Sequence, residues 1–152
     1  MLKEFKIIKT IIPFITPYTI LYAIYIQLNG EVSPGGGFQS GVIFATGIIA
    51  YDLVFGNKNL YKYFSIDGLI ICGVLGVFLY AVTGVISLIF NDNYLNYNSI
   101  SSNDITGQHI GIFSIELGVG ITVSSIMCLI YLLLREEWNA QFNLLAGCNY
   151  SN

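Results

Sequence analysis

Ser33-Pro34-Gly35-Gly36-Gly37-Phe38-Gln39-Ser40-Gly41 is the stretch around which the chain is organised. Three consecutive glycines let the backbone take positive φ and run close against another surface, and Pro34 fixes φ where the turn is entered. An apolar run begins at Phe38, so the stretch reads as a shaped turn feeding a hydrophobic helix. As a phosphate cradle it fails, because a P-loop ends in Lys-Ser/Thr and a dinucleotide loop needs G-x-G-x-x-G within a βαβ unit. Packing fits better: Gly37, Gly41 and Ala45 recur at i, i+4 and i+8 and form a smooth ridge for a second helix. A direct part in ion passage is the competing reading.

Outward from this turn the composition is that of a membrane protein. Of 152 residues, 55% are apolar and only 10% charged, against roughly a quarter charged in soluble domains, and the mean hydropathy is +0.70. The net charge of −3 rests on too few ions to build a basic nucleic-acid stripe, which leaves the lipid bilayer as the implied surroundings and excludes nucleic acid. Cys72, Cys128 and Cys148 are an odd set without C-x-x-C spacing, so neither a disulfide framework, a metal site nor a bound cofactor is expected. The polar segments are too short to hold a catalytic domain. No enzyme activity and no catalytic residue are expected.

Charge-free intervals predict four transmembrane helices, at about residues 10–28, 38–55, 68–90 and 109–134, each near the ~20 residues that cross a bilayer. The basic flank Lys3, Lys6 resembles a secretion signal, but the apolar run after it is too long and no small-x-small site follows. It reads as an uncleaved first helix, bent at Pro17. All six basic residues, Lys3, Lys6, Lys9, Lys58, Lys62 and Arg135, fall on one side of a four-span arrangement. The positive-inside rule makes that side the cytoplasm, with both termini inside. The expected fold class is therefore all-α and integral to the cytoplasmic (inner) membrane. Residues 1–138 form one membrane domain and 139–152 a short polar tail.

Glu116 is the sharpest chemical signal. A charged carboxylate near the centre of a span costs ~2.5–3.5 kcal/mol on insertion scales, so it faces protein or a hydrated cavity. It serves either as a protonated hydrogen-bonding group across an interface or as a proton relay. His109, seven residues earlier, shares its helical face but lies ~10 Å along the axis, beyond a direct hydrogen bond. A single histidine at the outer boundary reads as a capping or packing residue. Asp52, about a turn from the cytoplasmic end of the second span, reads as a solvated interfacial acid.

Two segments, Gly30 to Gly41 around Pro34-Gly35-Gly36-Gly37-Phe38 and His109 to Val123 around Glu116-Leu117-Gly118-Val119-Gly120, resemble the MnhB/MrpB family. These are the small B subunits of multisubunit Na⁺/H⁺ antiporters, with relatives in membrane-bound hydrogenases. The resemblance covers about residues 5–135. Glu31 stands where many members carry a histidine, and Gln39 and Ser40 where an apolar residue and glycine are common. The resemblance implies an accessory, non-enzymatic subunit that works with other subunits to exchange Na⁺ for H⁺. On that reading Glu116, with His109 and Asp52 as further candidates, handles the ion or proton, while Pro34, Gly35, Gly36, Gly37, Phe38 and Gly41 hold the interface geometry. Two alternatives remain open: an ion-translocating subunit of a hydrogenase-like or other redox-driven complex, and a purely structural interaction subunit.

Overall fold

A computed structural model of the chain describes residues 6–30, 35–55, 65–89 and 104–148. They form four α-helices: α1 (Lys6–Leu28), α2 (Gly37–Phe55), α3 (Ile66–Ile89) and α4 (Asp104–Cys148). Each contains a segment long and apolar enough to cross a membrane, Lys6–Leu28, Gly37–Phe55, Ile66–Ile86 and Thr106–Trp138. α1 runs as helix through both Pro13 and Pro17. Pro34, Glu31, Lys58 and Lys62 lie outside the described residues.

The fourth helix departs from its expected bounds. It begins at Asp104, five residues before His109, and continues to Cys148. At 1.5 Å per residue its 45 residues span ~67 Å, twice the ~30 Å of hydrocarbon. The segment expected as a polar tail is thus helical over residues 139–148. Ala140, Gln141, Leu144, Leu145 and Ala146 are good helix formers, and no proline or glycine interrupts them before Gly147. Loss of apolarity by itself gives the backbone no reason to stop there.

The helices pack as a row, α1 on α2, α2 on α4 and α4 on α3. Gln27 of α1 meets Ser40 of α2, and Thr19 and Ile20 meet Gly47, so these two run antiparallel. Gly37 meets Glu116, Gly41 meets Gly120 and Asp52 meets Tyr131, so α2 and α4 run parallel. Gly76 meets Gly118 while Gly73 meets Ser125 and Ile126, so α3 opposes α4. The N-termini of α1 and α3 and the C-termini of α2 and α4 therefore share one end, as an up-and-down order requires.

α4 is central because its Glu116-Leu117-Gly118-Val119-Gly120 run is two-sided. At ~100° per residue, Glu116 and Gly120 share one face while Gly118 points nearly opposite. On the first face α2 lies so close that a Cβ on Gly37 would fall on the carbonyl oxygen of Glu116, and one on Gly41 would stand 2.7 Å from that of Gly120. On the second face a Cβ on Gly118 would stand 2.8 Å from the Gly76 carbonyl oxygen. Backbone therefore meets backbone on both sides. This is how helices associate where water supplies no hydrophobic drive and dispersion must carry the contact. Ala45, Leu69, Cys128 and Leu132 form a small core beside these contacts. Most large apolar side chains point outward, including Phe38, which is 65% exposed.

Overpacking a tight contact costs roughly 1–3 kcal/mol. Gly37→Ala and Gly76→Ala, whose new methyl groups would meet backbone, are expected to lose stability in that range. Gly36→Ala meets only the Glu116 side chain, at 3.2 Å, and is expected to lose less. Thermal unfolding of the three variants in the same detergent ranks them.

Candidate ion-handling site on the α2–α4 seam

The glycine turn and Glu116, far apart in sequence, form one site. The Glu116 carboxylate lies against Gly30 and Gly36: a Cβ on Gly30 would fall on Oε2, and one on Gly36 would come within 3.2 Å of Oε1. Gly37 rests on the backbone of the same residue. The glycines therefore accommodate α4 and also clear the space around its carboxyl group. α2 begins at Gly37, so the positive end of its helix dipole stands beside an acid. Such an arrangement attracts a carboxylate by about 0.3–1 kcal/mol at exposed sites.

His109 and Glu116 line a common cleft of about 320 Å³ with Leu28, Gly30, Phe113 and Ser114. The seven-residue spacing that bars a direct bond still lets both side chains face one space. A cleft of this size has room for several waters at ~30 Å³ each, and His109, Ser114 and Glu116 are the polar groups on its otherwise apolar lining. Gly35 packs differently from its neighbours, with a Cβ there meeting Gln39 and Ile26. Phe38 stands away from the cleft on the outer surface.

Ser40, noted only as a departure from a common pattern, is buried one turn below. Its hydroxyl contacts Gln27 of α1 and the Gly37 carbonyl oxygen, the latter at 2.9 Å. Gln27 itself carried no signal, because one amide next to the last residue of a span reads as an interfacial group.

Asp52 is a correction. In place of a solvated interfacial acid the structure has a carboxylate only 1% exposed. Its Oδ2 accepts a 2.8 Å hydrogen bond from the Tyr131 hydroxyl and pairs with Arg135 Nη1. The distance from the end of α2 suggested reach to water, but α4 continues past this level and covers the group. Arg135 had been read as a marker of orientation alone. Opposite charges a turn inside the same ends of two spans were the available signal for the pair. Asp52 lies at the far end of the seam from Glu116: fifteen residues separate Gly37 from Asp52 on α2, ~22 Å of helix. The structure thus joins Glu116 with His109 and sets Asp52 apart.

Residues 7–129 match a family described as a domain related to the MnhB subunit of Na⁺/H⁺ antiporter. Among curated relatives are proteins named "Putative antiporter subunit mnhB2" from Staphylococcus aureus strains Newman, JH1 and Mu3. Each is 25% identical over 131 residues, covering 84% of this chain and 92% of the relative.

Removing one member of a buried ion pair costs ~3–5 kcal/mol, because the other charge stays buried, whereas replacing both by apolar groups is often near neutral. Arg135→Leu alone, which leaves the enclosed Asp52 carboxylate without its cation, is expected to destabilise the protein strongly. Asp52→Leu with Arg135→Leu is expected to recover most of the loss, measured as a double-mutant cycle on thermal unfolding in detergent.

Proposed function

Since the chain belongs to the family of domains related to the MnhB subunit of Na⁺/H⁺ antiporters, we propose that Glu116 is the ion-handling group of an accessory subunit in such a complex. The protein is a multi-pass membrane subunit, a transporter component rather than an enzyme, and its partners are other subunits of the antiporter. Na⁺ and H⁺ are the ions we assign to it. The cytoplasmic membrane is the assigned location, with the end that carries Lys6, Lys9 and Arg135 facing inward by the positive-inside rule.

The observation that carries the reading is the Glu116 carboxylate set against Gly30 and Gly36 at a cleft shared with His109. An acid at membrane depth is costly and is kept where it faces protein or a hydrated path. Here the neighbours in the turn have no side chains, so the carboxylate fits against their backbone while also bordering the cleft that it shares with His109.

The partner face is also legible. α1 carries Phe14, Tyr18, Tyr22 and Tyr25 on its surface, with Phe14 and Tyr18 rings 5.4 Å apart. Tyr18 is 61% exposed and sits near the middle of the helix. A phenol hydroxyl placed in hydrocarbon without a partner costs roughly 2–7 kcal/mol. This favours another subunit's helix, bearing a polar acceptor, as the neighbour of α1.

Glu116→Gln keeps the shape and removes the charge. In inverted membrane vesicles bearing the assembled complex, it is expected to cut Na⁺-driven proton movement by roughly tenfold or more, about 1.4 kcal/mol in barrier. The amount of complex on native gels should be unchanged. Normal transport by an assembled Glu116→Gln complex would refute the assignment.

A further inference from the structure

α1 and α3 stand at the two ends of the helix row, and their outer faces differ in kind. That of α3 carries Ile71, Val74, Leu75 and Phe78, groups that lipid tails surround as well as protein does. α1 is the least enclosed of the four spans, with 6% of its apolar stretch buried in the protein against 22–33% in the others. Yet its outer face is poorly suited to lipid. At ~100° per residue, Phe14, Pro17, Tyr18, Leu21 and Tyr25 fall within an arc of ~100°, and all five are exposed.

Two polar groups lie on that arc at membrane depth. Pro17 has no N–H, so the Pro13 carbonyl, four residues earlier in the same helix, loses its intrahelical partner. A helical carbonyl points along the axis toward residue i+4, so this oxygen emerges beside Pro17. Carbonyls freed in this way are satisfied by Ser or Thr side chains, by water or by a neighbouring helix. The nearby hydroxyls are committed elsewhere: Thr16 donates to the Ile12 carbonyl at 2.8 Å and Thr19 to the Thr16 carbonyl at 2.8 Å. The helices of the same chain lie on the other side of α1, where Thr19 and Ile20 face Gly47 of α2. The second group is the Tyr18 hydroxyl, which stands ~18 Å along the helix from one end of α1 and ~15 Å from the other, beyond the reach of a phenol to the headgroups. Its ring meets Phe14, and its hydroxyl makes no hydrogen bond among the described residues.

We propose that the face of α1 from Phe14 to Tyr25 is the docking surface for a membrane-spanning helix of another subunit, and that this helix carries a hydroxyl or amide side chain at the level of Pro17. That side chain donates to the Pro13 carbonyl, and an oxygen on the same helix accepts from Tyr18. Ser, Thr, Asn and Gln can do both and are the groups that bond across helices in membranes. Phe14 and Leu21 flank the polar pair and supply the packing. The inference rests on the reading of the chain as a subunit of a larger complex and adds where, and by what chemistry, a neighbour attaches. It does not depend on Glu116.

The test uses the assembled complex. A benzophenone-bearing phenylalanine in place of Leu21 is expected to cross-link to a different subunit on illumination. Pro17→Ala returns an N–H to the Pro13 carbonyl, so α1 closes the bond itself, and alanine does not weaken a helix that tolerates proline. The fraction of complex surviving graded detergent on native gels is expected to fall about threefold in Pro17→Ala, and about threefold in Tyr18→Phe. The isolated subunit should unfold at no lower temperature in either variant. If Pro17→Ala does lower it, Tyr18→Phe and the cross-link decide. Cross-links to lipid alone or to a second copy of this chain overturn the proposal, as does undiminished survival of both variants. A wild-type chain that copurifies with no other subunit would overturn the subunit reading itself. Absence of the cross-link in a complex that Glu116→Gln inactivates removes the surface and leaves Glu116 standing; the cross-link in a complex that transports normally as Glu116→Gln does the reverse.

Discussion

The contact of α2 with the backbone of α4 is the constraint from which the rest follows. Gly37 can rest on the Glu116 carbonyl oxygen, and Gly41 beside that of Gly120, only because neither carries a Cβ. That approach sets the register of the two helices. The register then places the glycine turn over the Glu116 side chain, Ser40 against Gln27, and Asp52 opposite Tyr131 and Arg135. In a bilayer lipid tails are as apolar as leucine, so a helix pair gains little from burying aliphatic side chains and much from close backbone packing. The outward direction of most large side chains is a consequence of the same fact.

The seam has two unlike ends. At one, Glu116 opens onto a cleft with His109; at the other, Asp52 is enclosed and paired with Arg135. Equal carboxylates, one well inside α4 and one a turn from the end of α2, take different environments because of what packs against each. Where α4 has Glu116, the neighbours among the described residues are Gly30, Gly36 and Gly37. Where it has Tyr131 and Arg135, the acid receives a phenol donor and a guanidinium. A buried ion pair adds little net stability over apolar packing but is expensive to break. This suits a clamp that keeps α2 from sliding on α4.

Much of the fold could be read from residues alone. The charge-free intervals pointed to four apolar helices, and four are present, since crossing hydrocarbon demands an uninterrupted apolar run whatever the packing. The Gly37/Gly41/Ala45 ridge was legible as a packing surface for the same reason that it packs: the spacing is helical and the residues are small. Residues 139–148 were read for their polarity, which is silent on whether the helix continues. Solvation there ends the span, while Ala140 to Ala146 retain every local reason to stay helical. Asp52 was misplaced because burial depends on the neighbouring helix, and no property of α2 reveals how far α4 extends beside it.

Sequence alone settled what each segment must be: four apolar helices, a glycine turn able to approach another backbone, and an acid too costly to leave facing lipid. Those are local properties, determined by composition and spacing along one helix at a time. Only the tertiary structure decided which surfaces meet. Gly118 and Gly120, two residues apart, serve different neighbours because a helix turns ~200° between them. The turn and the acid become one site because α2 and α4 run parallel in a single register. Pairings such as Glu116 with Gly30 and Gly36, Ser40 with Gln27, and Asp52 with Arg135 are relations between helices, and they exist only once close packing has set how far each slides along the next.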